Sequence, residues 1–165
     1  MAVVGQGDKE IYDISTSSNT STAKDELGRL RYEYDDTNGL KVYMYIKAAS
    51  AISNGDVVTF GGTTGYTVKV DTTNAPAKFE PVGVGIGTIT NGYYGYILVR
   101  GYHSAVKKVT DATTSAYKAA YVLSGKIKTA DGGATDTAFY QVGGIIPLES
   151  KACSCTTVKA FVKCL

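Results

Sequence analysis

The sequence predicts an all-β protein, a small β-sandwich or β-barrel with an extended N-terminal arm. Three observations lead there. The 165 residues include 20 Thr, 13 Tyr and 19 Gly but only 3 Pro and no Trp; Thr, Tyr and Val suit a pleated strand, and Gly suits turns and bulges. Short runs of alternating apolar and polar residues are separated by Gly or Asn turns at intervals of about 8–12 residues, the spacing of sandwiches and small barrels. The first 27 residues, by contrast, look different, with a polar run of low complexity from Ile14 to Lys24. Charged residues make up 19% of the chain, below the usual share of about 25%, so the surface must be covered by uncharged polar groups.

Residues 1–27 form the expected arm. Ile14 to Lys24 (ISTSSNTSTAK) is unable to bury a core. Val3, Val4, Ile11, Tyr12 and Ile14 are its apolar handles and candidate partner contacts. Residues 28–165 form the expected single β-rich domain. Its first element is a hairpin. Arg29 to Asp36 (RLRYEYDD) places Leu30, Tyr32 and Tyr34 on one face. Asn38-Gly39 follows, a dipeptide whose residues both tolerate positive φ. Leu40 to Ala48 then places Leu40, Val42, Met44 and Ile46 on one face and Lys41, Tyr43, Tyr45 and Lys47 on the other.

After the turn Ser53-Asn54-Gly55, Asp56 to Phe60 and Tyr66 to Val70 predict a second pair of strands. Ala75 to Pro81 reads as a loop, Val82 to Thr90 (VGVGIGTIT) as a strand, and Asn91-Gly92 as a turn into the strand Tyr94 to Arg100. His103 to Val109 and Tyr117 to Lys128 predict two or three further short strands, with a short helix around Ser115 to Val122. Gln141 to Leu148 and Thr156 to Cys164 close the chain.

The sequence offers little to catalysis. It has one histidine. His103 and Ser104 are adjacent, so on a strand they point to opposite faces and cannot form a base–nucleophile pair; His103 is expected at the surface or rim. Gly83-Val-Gly85-Ile-Gly87 is not followed by a helix, so it lacks the dinucleotide fingerprint. Its glycines instead allow close approach of another strand. Asp35, Asp36, Asp56, Asp71 and Asp111 fall in turns, which Asp favours, without the spacing of a calcium loop. Cys153, Cys155 and Cys164 lack the CxxC spacing and the fourth ligand of a zinc site. No enzyme activity, cofactor or metal is expected.

The net charge of +2 is too small to predict nucleic-acid binding. It divides unevenly: residues 1–36 hold eight acidic and four basic side chains, and the rest of the chain is basic. Met1 to Gly5 lacks the basic start and apolar run of a secretory leader, and no apolar stretch is long enough for a membrane span. The chain is therefore expected to be made in a cytoplasm and to bind neither nucleic acid nor membrane. The tyrosines stand out. Tyr43 and Tyr45 in the hairpin, and Tyr93 and Tyr94 beside Asn91-Gly92, are candidate partner contacts, because tyrosine combines a large apolar face with a polar tip. Cross-strand pairing within the sheet is the other use of such residues.

Two stretches carry a resemblance. They are LGRLRYEYDDTNGLKVYMYIKAASAISNGDVV, from Leu27 to Val58, and PVGVGIGTITNGYYGYILVRG, from Pro81 to Gly101. Both resemble the head decoration, or cement, proteins and related minor capsid proteins of tailed bacteriophages. Tyr96 stands where that pattern usually has Trp, and the Cys-Ser-Cys tail lies outside it. The resemblance implies a structural protein on the outer capsid surface of a virion, made in the host cytoplasm. Its partner would be the major capsid protein, bound at seams between copies. A homo-oligomer (dimer or trimer) and an arm lying along the shell are implied as well. The alternative expectation is a tail- or fibre-associated β module that binds host-surface glycans.

Overall fold

The computed structural model describes residues 19–61, 65–72, 81–110, 114, 116, 120–129, 144–152 and 154–165. Ten strands occupy them, and among the described residues there is no helix. The strands are β1 (Leu30–Asp35), β2 (Gly39–Ala48), β3 (Val57–Phe60), β4 (Thr67–Val70), β5 (Gly83–Gly85), β6 (Tyr94–Lys107), β7 (Ala120–Leu123), β8 (Lys126–Thr129), β9 (Ile145–Pro147) and β10 (Thr157–Lys163).

The β1–β2 hairpin closes through its own side chains. Asp35 Oδ1 accepts from the amides of Thr37 and Asn38 at 2.9 and 3.1 Å, and Gly39 takes φ 74°. This side-chain mimicry of a turn is why Asp serves there. Bonds from Asn38 and Lys41, then the two amides, hold the Asp35 carboxyl well below the usual carboxylate range.

Eight strands form one sheet in the order β1-β2-β4-β3-β5-β6-β10-β9, and β2 also pairs with β6. That extra pairing closes β2, β4, β3, β5 and β6 into a ring. The closing contact between β2 and β4 is parallel, at Lys47–Thr67 and Ala48–Val68; the other pairs are antiparallel. The ring is tight at β5. A Cβ on Gly83 would lie 2.6 Å from the Leu98 carbonyl oxygen, and one on Gly85 would lie 2.5 Å from that of Ser53. The alternating glycines of the sequence thus mark a place where backbone meets backbone.

Period-two alternation gives the ring two apolar faces. Val42, Met44, Ile46, Val58, Val68, Ile97 and Val99 fill one cluster, to which every ring strand but β5 contributes a side chain. Tyr43, Val57, Val84 and Leu98 point the other way. They are covered by Val106, Val122, Ile127, Ile145, Val158 and Val162. β10 pairs with β6 from Arg100 to Lys107, a stretch in which Gly101 takes φ 118°. The β7–β8 hairpin turns at Ser124-Gly125, both with positive φ, as a two-residue hairpin turn of the right hand requires. The Gly125 carbonyl accepts from the Val57 amide at 2.9 Å, tying this hairpin to the ring.

Three expectations about elements change. Only Gly83–Gly85 of the stretch 82–90 is strand; beyond it Ile89 bridges Ile52 instead. The stretches 94–100 and 103–109 join in one 14-residue strand. Ala120–Leu123 is strand where the C-terminal part of a short helix was expected, because it pairs with Lys126–Thr129. Residues 117–119 and most of the loop 75–81 lie outside the described residues.

Candidate partner-contact surface

The described part of the expected arm, residues 19–27, lies on the sheet. Thr20 exchanges both backbone hydrogen bonds with Tyr94, at 3.1 and 2.9 Å. Asn19 Oδ1 accepts from the Thr90 amide at 2.9 Å, and the Lys24 amide donates to the Tyr45 hydroxyl at 2.9 Å. The segment then buries one carboxylate. The Asp25 side chain is only 4% exposed. It accepts from Arg29 Nη1 at 3.0 Å, from Arg31 Nη2 at 2.6 Å and Nε at 3.2 Å, and from the Tyr96 hydroxyl. Burial alone would raise its pKa. The bonds from Tyr96, Arg31, the Glu26 amide and Arg29 outweigh that and hold the carboxyl well below the usual range. The same contact, added to burial, pushes the Tyr96 phenol up. Arg31 also lies over the Tyr96 ring, 5.2 Å from its centroid. Residues 19–29 are therefore a strap, clamped to β1, β2 and β6 by one acid, two arginines and two tyrosines.

This cluster was not read from the sequence. Its signal was an acid four and six residues before Arg29 and Arg31, hidden at the end of a low-complexity run.

Among the expected contact residues, Val3, Val4, Ile11, Tyr12 and Ile14 lie outside the described residues. Tyr43 and Tyr45 are 7% and 3% exposed, so they are not free surface. The reason is that β2 is a central strand, covered on both faces. Tyr43 packs in the second apolar cluster. Tyr45 lies under the strap, between Tyr94 (ring centroids 6.4 Å, stacked) and Tyr96 (4.9 Å). Tyr93 and Tyr94 are half-buried; Tyr93 packs on the cluster that holds Val42, Met44 and Ile46, and Lys47 Nζ lies 5.6 Å from the Tyr94 ring centroid. The exposed aromatics are elsewhere. Tyr32 and Tyr34, which share one face of the hairpin's first strand with Leu30, are 39% and 51% exposed, beside Leu40 at 45%. β1 is the edge of the sheet, and its apolar face runs out past the ring.

His103 is buried, not at the surface. Its Nδ1 accepts from the Ala105 amide at 3.1 Å, so Nε2, 3.2 Å from the Gly85 carbonyl oxygen, is the donor. With both ring nitrogens committed to backbone, the side chain braces β6 against β5. A shallow depression of about 260 Å³ opens beside it, lined by Asn38, Lys41, Tyr43, Asn54 and Tyr102. Lys108 is wholly buried, and its ammonium donates to the carbonyls of Val109, Ala152 and Cys155 at 3.0, 3.1 and 2.9 Å. These bonds use all three ammonium protons and hold the turn before β10 to the end of β6. Among the described residues no group of three His, Cys, Asp or Glu side chains is placed to hold a metal ion, and no helix is long and apolar enough to cross a membrane.

No family model matches the chain, and no curated protein matches it.

Proposed function

We propose that this chain is a structural virion protein that decorates and cements a bacteriophage capsid, without catalytic turnover, by binding at seams between major capsid proteins. The strap is the observation that carries the reading. Thr20 is clipped to Tyr94 and Asp25 is locked beneath Arg31, so the point from which residues 1–18 depart is fixed on a rigid all-β body. A fixed departure point lowers the entropy lost when a preceding segment is ordered on a partner. The resemblance of Leu27 to Val58 and Pro81 to Gly101 to cement proteins supports the same reading. Binding only the assembled shell would stabilise it by mass action, and repetition over a lattice makes a shallow contact effective.

The test is co-sedimentation with undecorated capsids, comparing the full chain with one lacking residues 1–18. This truncation spares Asp25 and the strap. Saturable binding that weakens on truncation is the expected result. Equal binding by both forms would move the contact to the β body. Absence of binding by either would overturn the proposal, and affinity of the isolated chain for glycans would then favour the glycan-binding alternative, with the depression beside His103 as its natural site.

A further inference from the structure

We propose that two copies of this chain pair through β1, antiparallel, about a two-fold axis at Tyr32. The pairing stands independently of any capsid. β1 and β9 are the two ends of the eight-stranded sheet. β9 is three residues long and ends in Pro147, and short strands and proline are common protections of an edge. β1 has six residues, no proline and no lysine. Among the described residues nothing pairs with its outer side.

The phase of the ladder fixes which groups that side offers. The Gly28 amide donates to the Tyr45 carbonyl at 2.8 Å, and the Tyr45 amide donates to the Arg29 carbonyl at 3.0 Å. Bonding alternates along an antiparallel pair. With the register Arg31–Tyr43, Glu33–Lys41 and Asp35–Gly39, those three β1 residues turn their N–H and C=O groups toward β2. The groups of Leu30, Tyr32 and Tyr34 point outward.

A second β1 centred on Tyr32 meets that phase. Tyr32 then faces Tyr32 of the other copy as a hydrogen-bonded pair, and Leu30 faces Tyr34 on either side. One face of the joined strands brings Leu30, Tyr32 and Tyr34 together, covering side chains now 39% and 51% exposed at the two tyrosines. The other face sets Arg31 opposite Glu33 and Arg29 opposite Asp35. Arg29 and Arg31 keep their bonds to Asp25 and Asp35 its bond to Lys41, but the cations lie toward the start of the segment 29–35 and the anions toward its end, so antiparallel pairing still sets opposite charges across the joint, which favours the sheet. Parallel pairing in register would place like charges together.

Disulfide trapping decides the register. Cys153, Cys155 and Cys164 are replaced by Ser, and Tyr32→Cys or Tyr34→Cys is introduced. Residues facing each other in a hydrogen-bonded pair have Cα atoms about 5.5 Å apart, within disulfide reach. The two copies of residue 34 would lie four residues out of register, about 13 Å apart, beyond it. Mild oxidation is expected to convert Tyr32→Cys to a covalent dimer and to leave Tyr34→Cys monomeric. In the otherwise unaltered chain, Tyr32→Pro removes an outward N–H and the Tyr32 ring from the joint while leaving the bonds to β2 intact. It should keep the far-UV circular dichroism of the parent and sediment as a monomer at concentrations where the parent dimerises. No trapping of Tyr32→Cys, equal trapping of both variants, or a dimer that survives Tyr32→Pro would overturn the proposal.

Discussion

Replacing Asp25 by Ala tests the strap most sharply. Removing one partner of a buried ion pair costs about 3–5 kcal/mol, because the other charge is left behind. Here the stranded groups are only part-buried: the side chains of Arg31 and Arg29 are 14% and 43% exposed. Water can rehydrate them, which lowers the expected loss to about 2–3 kcal/mol. For a chain of this size each kcal/mol moves Tm by about 2–4 °C, so Tm should fall by about 5–10 °C. The loss should also be local. Amide exchange at Thr20 and Tyr94, whose N–H groups bond each other's carbonyls across the strap, should accelerate more than exchange at Ile97 in the ring. Asp25→Asn should lose nearly as much, since its amide donor would face the Arg31 guanidinium. A Tm for Asp25→Ala within about 2 °C of the parent, with exchange at Thr20 unchanged, would refute the reasoning. The pH dependence has a definite sign. A carboxyl held low in the fold contributes stability that is complete above its unfolded pKa of about 3.9 and is lost as pH falls below it. Asp25→Ala should therefore flatten the acid limb of stability below about pH 4.

The remaining predictions concern the braces of the sheet. Gly85→Ala forces a Cβ against the Ser53 carbonyl and should cost about 2–3 kcal/mol in urea denaturation. Gly39→Ala meets nothing within 4 Å but sits at φ 74°, and should cost about 1 kcal/mol; the reverse ranking would contradict the close approach at β5. Burial pushes the His103 imidazole below its usual pKa, with the Gly85 bond opposing and Lys41 adding to the shift. The unfolded chain protonates below about pH 6.5, so stability should decline as pH falls from there, and the slope should vanish in His103→Gln. Thermal melts between about pH 5 and 7.5 would show it. Lys108→Met deprives three carbonyls, in part-buried contacts, of their donor and should lower stability by about 1–2 kcal/mol, read by the same melts.

Local chemistry made the strands legible. Asn38-Gly39 and the alternation around it specify the first hairpin, and Gly83-Val-Gly85 signals a strand pressed against others. What could not be read is non-local. Nothing near Lys47 or Val68 announces the parallel contact that closes the ring. Without the ring, periodicity separates Tyr43 and Tyr45 from Val42 and Met44 but cannot say that both sets are buried. For the same reason periodicity groups Tyr32 and Tyr34 with Leu30 but cannot say that β1 is an edge, which leaves both tyrosines exposed. The burial of His103 is not legible because its partners are backbone atoms, of which the sequence bears no mark. The role of Asp25 in the expected arm is hidden too, since it depends on a tyrosine that pairing brings from β6.

The 14-residue β6 has a thermodynamic consequence. Its first half is a stave of the ring, and its second half carries β10. Alternate side chains feed both clusters: Ile97 and Val99 enter one, Leu98 and Val106 the other. Both clusters therefore lose packing together if β6 leaves the sheet. The chain should melt in one step, with calorimetric and van't Hoff enthalpies in agreement. Its slow event should be the meeting of β2 with β6, since pairing strands so distant in sequence closes a long loop before it gains any contact.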